Sequence, residues 1–276
     1  GGGSHAAGVG HHTAPRLTAP ALSPSKAVRL AARHAGQLRS VTATFTRQGT
    51  GAIREKSAGT ITEQLRPVLR ADLAIPVISI YDRKVNGGES AILSGGQVYY
   101  HQPTLTAILG TRSWLDVPSA DVGKQISGTV VRDTIDLAED YGPVVQGELL
   151  AGAQKVARVG TSRLGGIPVA EYTGSYRLSA AVRVLPAATR AVVEQEQVKQ
   201  NFSRVTFEAW LDAGQQVRKL VVQEEAMGHT PGSQPVAIET ETTTIVVTSL
   251  NQPVTVKPPP ADQVSAVPHS AIGRRF

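Results

Sequence analysis

Cysteine is absent from the chain, which removes disulfides, thiolate metal sites and cysteine nucleophiles together. Aromatic residues make up only 4% of the sequence although hydrophobic residues make up 41%. An interior must therefore be built from Val, Ile, Leu and Ala. Walls of that kind suit acyl chains or plain core packing and argue against a sugar site, which relies on aromatic platforms. No apolar run reaches the roughly 18 residues of a membrane-spanning helix, and the first residues lack the charged-then-apolar pattern of an export signal. Acid is scarce at one end. Residues 1–70 hold Arg16, Lys26, Arg29, Arg33, Arg39, Arg47, Arg54, Lys56, Arg66 and Arg70 against only Glu55 and Glu63, so this segment is +8 and the remainder −2, within a net +6. A basic end can meet phosphate of a lipid headgroup or of nucleic acid. Phe45 is its only aromatic, however, and without aromatics interleaved among the cations no nucleic-acid partner is expected.

Catalytic patterns are missing as well. Of the seven histidines, His5, His11 and His12 fall in the leading residues, while His34, His101, His229 and His269 lie far apart. None has metal-ligand spacing. The carboxylate pairs Glu139-Asp140, Glu194/Glu196, Glu224-Glu225 and Glu239/Glu241 are adjacent or alternating. Such pairs read as solvated faces or strand edges, not as the opposed carboxyls of a glycosidase. The glycine-rich runs Gly49-Thr50-Gly51 and 160–166 match neither a P-loop nor a dinucleotide fingerprint, and no Gly-x-Ser-x-Gly elbow occurs. No catalytic residue, metal or cofactor is expected. Trp114 and Trp210 read as packing or lip residues.

What the chain does contain is alternation. Residues 203–211 alternate apolar and polar, 212–215 turn, and 217–223 answer, which predicts a long antiparallel hairpin with one wet and one dry face. The pattern recurs at 41–45, at 59–75 interrupted around Pro67, at 89–93 and 97–100 across Gly95-Gly96, at 155–160 and 167–178 across Gly165-Gly166, and at 238–250. Residues 1–24 are rich in Gly, Ala, Thr and Pro and read as a flexible tether, or else a cloning scar. As a coil they would span about 27 Å and fully extended about 80 Å. Ser25 is placed as the cap of a first helix with a stripe of Ala27, Leu30, Ala31, His34 and Leu38. Helical spacing also marks 118–126, 132–141 and 186–199, and 261–276 reads as a C-terminal tail. The predicted class is α+β, with a single strongly curved antiparallel β-sheet, a half-open barrel, and helices plugging its concave face.

The lead helix followed by 40–45, the strand Ile167 to Ser175, and the element Phe207 to Leu220 resemble the LolA/LolB-like lipoprotein carriers. The chain looks most like the actinobacterial lipoproteins of the LppX and LprG kind, over roughly Pro24 to Pro260. The resemblance implies one lipid-binding domain at 25–260, an apolar cavity between sheet and helices that holds a lipid, glycolipid or other hydrophobic molecule, and no enzymatic activity. It also implies a monomer held by an N-terminal lipid anchor at the outer face of the cell membrane, with an envelope transporter as a possible partner; the lipidated cysteine of that family would stand just before Gly1.

A carrier needs such a cavity because each buried methylene is worth about 0.8 kcal/mol, so a 16-carbon chain costs roughly 12 kcal/mol to leave a bilayer for water. Alternation selects Val41, Ala43, Phe45, Leu69, Ala71, Leu73, Ile75, Val205, Phe207, Ala209, Leu220 and Val222 as cavity-lining candidates on the sheet, with Ile126, Ile135 and Leu137 on a helical lid. Two other readings stand beside the carrier: an interaction or regulatory module of the same fold with a collapsed cavity and a protein partner, and a barrel enzyme if His101 or His229 converges with carboxylates.

Overall fold

The structure is a computed structural model and describes residues 21–51, 54–132, 134–135, 142–187, 190, 202–228 and 236–275. Helix α1 (Pro24–Ala35) starts where the Ser23 side chain accepts from the Lys26 amide at 3.4 Å, with Pro24 in the first turn, so the cap lies two residues before the expected Ser25. Its buried face is Ala27, Val28, Ala31, Ala32 and Ala35. Leu30 and His34 of the expected stripe are only half-buried, because the small residues are the ones that let α1 approach its neighbours.

Strands β1 (Ser40–Gly51), β2 (Glu55–Gln64) and β3 (Arg70–Ile80) form a meander that continues through the two-residue β4 (Arg83–Lys84), β5 (Glu89–Ser94), β6 (Gln97–His101) and β7 (Trp114–Val117). A short helix, α2 (Pro103–Leu109), joins β6 to β7. Gly59 sits at an irregularity of the β2–β3 ladder, where an added Cβ would lie 2.2 Å from the Ala74 carbonyl oxygen; only glycine lets the two backbones approach this closely. Next come β8 (Lys124–Ile126), β9 (Thr129–Val130), helical residues 131, 132, 134 and 135, α3 (Pro143–Leu149), the hairpin β10 (Gln154–Leu164) and β11 (Ile167–Arg177), and α4 (Leu178–Arg183). The chain then forms β12 (Phe202–Asp212), β13 (Val217–Gly228), β14 (Val236–Leu250), β15 (Val264–Ala266) and β16 (Ile272–Arg275).

The principal sheet runs β10-β11-β12-β13-β14-β1-β2-β3-β5-β6-β7-β15, with β4 paired to β3. It is a large curved sheet that does not close into a barrel, antiparallel except where β15 runs parallel to β7. A second small sheet pairs β16, β8 and β9.

The predicted hairpin at 203–223 forms as β12 and β13, with Trp210 opposite Lys219 and the Lys219 Nζ 4.3 Å from the Trp210 ring centroid. Its turn is pinned by Asp212, whose carboxylate accepts from the Gly214 and Gln216 amides at 2.9 and 3.0 Å and from Arg218 Nε at 2.7 Å.

Three expectations are corrected. Residues 118–126 form a 3-10 turn (Ser119–Asp121) and then β8, not a helix. Residues 261–275 are no loose tail: they supply β15 and β16 and bury Val267 in the core. The sequence hid this because the two strands are only a few residues long and interleaved with turns. The sheet is mixed at its β7 end. Of the other helix expectations, 136–141 and 191–199 lie outside the described residues.

Helices α1, α3 and α4 pack together over the β10–β12 end of the sheet. The approach of α1 to α3 depends on Gly147, where an added Cβ would stand 2.7 Å from the Ala35 Cβ. Gly147→Val is expected to force α3 off α1 and cost about 1–3 kcal/mol. In thermal melts that is a fall of about 2–4 °C per kcal/mol; an unchanged Tm would refute the contact.

Candidate ligand-binding face

Because successive strand residues alternate faces, the register fixes which side chains share the sheet's buried, inner face. One row runs Tyr172, Ala209, Leu220, Ile245, Phe45; the next runs Val247, Ala43, Ile61, Leu73, Ala91, Tyr100, Leu115. These rows separate into three apolar clusters.

Under α1, α3 and α4 lie Tyr172, Tyr176, Val205, Phe207, Ala209, Leu211, Leu220 and Val222. At the other end Ala91, Tyr100, Leu115 and Val117 meet Leu105 of α2, Val131, Ile135 and Ile126. The third cluster lies between them: Ala43, Phe45, Ile61, Leu73, Ile75, Ile78 and Ile245, with Val85 and Val247 against it. All but Val85, which follows β4, come from strands β14, β1, β2 and β3, and no described helix residue belongs to this cluster. Four strands at about 4.8 Å spacing make this floor about 14 Å wide.

Towards the β1 C-terminal end the same inner rows turn polar. Tyr176, Val205, Glu224 and Glu241 follow one another across β11, β12, β13 and β14, and Phe207, Val222, Thr243, Arg47 and Ser57 form the adjoining row. Glu224, Glu241, Thr243 and Ser57 are buried. The Arg47 guanidinium donates to Glu241 Oε2 at 2.5 Å and stands 3.5 Å from Glu55 Oε1. Burial, with the Glu224 charge second, pushes the Tyr176 hydroxyl well above the ordinary phenol range; this hydroxyl has no hydrogen-bond partner among the described residues. Burial is also the first cause that raises Glu239, followed by Glu241; Arg47 opposes the rise, and Glu55 adds to it weakly.

Most sequence-selected lining residues lie on this inner surface. Ala43, Phe45, Leu73 and Ile75 are in the middle floor, Val41 and Ala71 are buried beside it, and Val205, Phe207, Ala209, Leu220 and Val222 are under the helices. Ile135 is on the helical segment, whereas Ile126 is on β8. Leu69 is not on the sheet: it stands in the β2–β3 connection, 49% exposed, because β3 takes up its alternation only at Arg70. Leu137 lies outside the described residues.

Two carboxylates depart from the solvated faces that their spacing predicts. Glu224 and Glu241 are buried on the inner face, not solvated; the available signal was phase, since Phe45-Arg47, Val222-Glu224 and Glu241-Thr243-Ile245 keep the apolar stripe's period of two. Glu139-Asp140 and Glu194/Glu196 lie outside the described residues. The sequence does not show a clamp beside the Ala91, Leu105 and Ile135 cluster: Glu89 accepts from Gln102 Nε2 at 2.9 Å and from the Thr134 hydroxyl, tying the helical segment to β5.

Among the described residues, no histidine joins these carboxylates. His34 Nδ1 lies 3.3 Å from the Gln215 carbonyl oxygen, and His101 Nδ1 donates to the Ser113 carbonyl while its ring sits 5.3 Å from that of Trp114. His229 lies outside the described residues. Among the described residues no group of three or more His, Cys, Asp or Glu could hold a metal ion, and no helix is long and apolar enough to cross a membrane.

No family model and no curated protein matches the chain. Solved structures do. The fold is one seen in a solved mycobacterial protein. In particular, LprF from Mycobacterium bovis superposes with a TM-score of 0.50 at 11% identity, covering 86% of this chain and 96% of that one. The lipoprotein LppX from Mycobacterium tuberculosis gives 0.47 at 13% identity, covering 85% and 98%, and the Pseudomonas aeruginosa MucA/MucB complex gives 0.32 at 14%, covering 87% and 59%. At 11% identity the likeness to LprF is one of fold.

Two outcomes test the polar end. Arg47→Met takes the guanidinium away from the buried Glu241 carboxylate and is expected to cost about 3–5 kcal/mol in urea unfolding; a loss within error of zero would show that the pair is not desolvated. For Glu239 the folded value lies above the ordinary 4.5, so the carboxylate penalises folding once pH passes 4.5, and fully above the raised value. Glu239→Gln should therefore raise stability at neutral pH, with the gain vanishing as pH falls below about 4.5. A gain of equal size at both pH values would contradict this.

Proposed function

We propose that the protein is a non-enzymatic carrier of the cell envelope that binds a lipid, glycolipid or other hydrophobic molecule on the inner face of its sheet. The reading rests on one observation: the middle of that face is a continuous apolar floor, Ala43, Phe45, Ile61, Leu73, Ile75 and Ile245, built without any described helix and flanked on both sides by helix-covered cores. An acyl chain lying there replaces apolar contacts at about 0.8 kcal/mol per methylene, which is what release from a bilayer requires. The buried polar end around Arg47 and Glu241 is suited to a polar headgroup. The carrier works outside the cytoplasm, tethered through residues 1–24 to a lipid anchor on the outer face of the membrane, and hands its cargo to an envelope transporter as a monomer.

One observation favours the second reading, an interaction module with a collapsed cavity. Every residue of the floor cluster is at most 7% exposed, so the face is closed and a ligand would have to part what covers it.

Native mass spectrometry of the protein from its own host, followed by organic extraction, separates the two. The carrier reading expects a stoichiometric hydrophobic molecule, and expects Ala43→Phe, which fills the floor, to reduce its occupancy severalfold without loss of the sheet signal in circular dichroism. A clean apo mass with no uptake of labelled lipid would instead establish the interaction module.

A further inference from the structure

The β3–β4 hairpin makes a tip whose composition the carrier reading does not use. Its turn is Tyr81-Asp82, with φ of 51° and 63°, a left-handed pair that glycine or asparagine adopts readily and tyrosine does not. The hairpin is held to the β1–β2 connection by the Tyr81 amide, which donates to the Arg54 carbonyl at 2.7 Å, and by Arg54 Nη1, 2.8 Å from Asp82 Oδ2. Around this turn the apolar side chains point into solvent: Val77, Ile80 and Tyr81 are 57%, 43% and 54% exposed. Exposed cations surround them, namely Arg54, Lys56, Arg83 and Lys84. Of the nearby acids, Asp82 is engaged by Arg54, and Glu55 faces inward to Arg47. A bulky aromatic at a strained turn, two exposed β-branched residues and a cationic rim occupy one end of the sheet, the end of β1 away from α1.

We propose that this tip is a bilayer-docking edge that seats Val77, Ile80 and Tyr81 among the headgroups and acyl-chain boundary of an anionic membrane, with Lys56, Arg83 and Lys84 on lipid phosphates. The chemistry matches that surface: tyrosine prefers the membrane interface, where its ring is buried and its hydroxyl wet, and juxtamembrane cations are drawn to anionic lipid. A protein partner fits less well. Three half-exposed side chains fall far short of the roughly 800 Å² that a stable interface takes from each partner. The docking edge needs neither a lipid anchor nor a cargo on the inner face.

The test is flotation of the full chain with vesicles of phosphatidylglycerol and phosphatidylcholine in about equal parts, against vesicles of phosphatidylcholine alone. Partitioning should favour the anionic vesicles, weaken as salt is added, and fall about fivefold for each cation removed. Arg83→Glu with Lys84→Glu should therefore lose more than tenfold. Tyr81→Gly is the sharper variant. It relieves the left-handed turn, so its Tm should stay level or rise, while its vesicle binding should drop severalfold; a residue kept for the fold alone would show the opposite split. Ala43→Phe, which cuts cargo occupancy severalfold under the carrier reading, should still float, so failure of the docking edge and failure of the carrier are told apart. The proposal is overturned if anionic vesicles are not bound, if neutral vesicles are bound equally, or if both tip variants bind as the wild type does. Capture of an acidic protein through this tip in place of vesicles would overturn it equally.

Discussion

The pairing of β14 with β1 is the constraint on which the rest of this molecule depends. Apart from this ladder and the small parallel addition of β15 to β7, every neighbouring pair along the strand order joins strands that follow one another in the chain, with β4 a two-residue branch on β3, so β1 to β7 and β10 to β14 are two separate meanders. One ladder, from Val41 opposite Leu250 to Gly51 opposite Glu239, makes them one sheet. It brings together residues about two hundred positions apart, and such closure is the slow, entropically costly step of a β-rich fold. It is also the ladder that places Phe45 beside Ile245 and Arg47 beside Thr243, so floor and polar end exist only once the two meanders have met.

That ladder explains how one face can be apolar over most of its area and charged at one end. Alternation fixes the face but not the chemistry. Phe45 and Arg47 share a face because they are two residues apart, and the neighbouring strands supply Ile245 to the first and the nearby Glu241 and Glu55 to the second. The buried charge is matched where it stands, which holds the register: a slip of one residue would turn Arg47, Glu241 and Glu224 to the outside and put Thr46, Thr242 and Gln223 in their place.

Much of this architecture was legible in the sequence, because long strands with one dry face write a period of two that few other structures write. The 203–223 hairpin, the paired strands across Gly95-Gly96 and Gly165-Gly166, and most of the inner-face residues follow from that period alone. What was not legible has physical causes. Glu224 and Glu241 were read as solvated because charge is normally exposed, and nothing local shows that Arg47, some two hundred residues away, will face Glu241. Strands β15 and β16 are too short for periodicity to register, and their partners β7 and β8 lie far back in the chain. The helix expected at 118–126 shares its spacing of apolar residues with a turn followed by a strand, and only the pairing of Ile126 with Ile272 decides between them. Leu69 continues the stripe by count, but the chain between β2 and β3 breaks phase before it.

Among the described residues the sheet ends at β10, whose outer ladder of amides and carbonyls has no neighbouring strand. That strand is irregular: its register with β11 shifts between Gln154 and Ala157 and again between Arg158 and Gly160, Lys155 takes a φ of 51°, and Lys155, Arg158 and Arg163 are exposed along it. Bulges bend an edge away from the flat template another strand would need, and a row of cations repels a like-charged copy of itself. A half-open sheet that never closes on itself is thereby defended against templated aggregation at its exposed edge, and the defence is written in backbone irregularity as much as in charge.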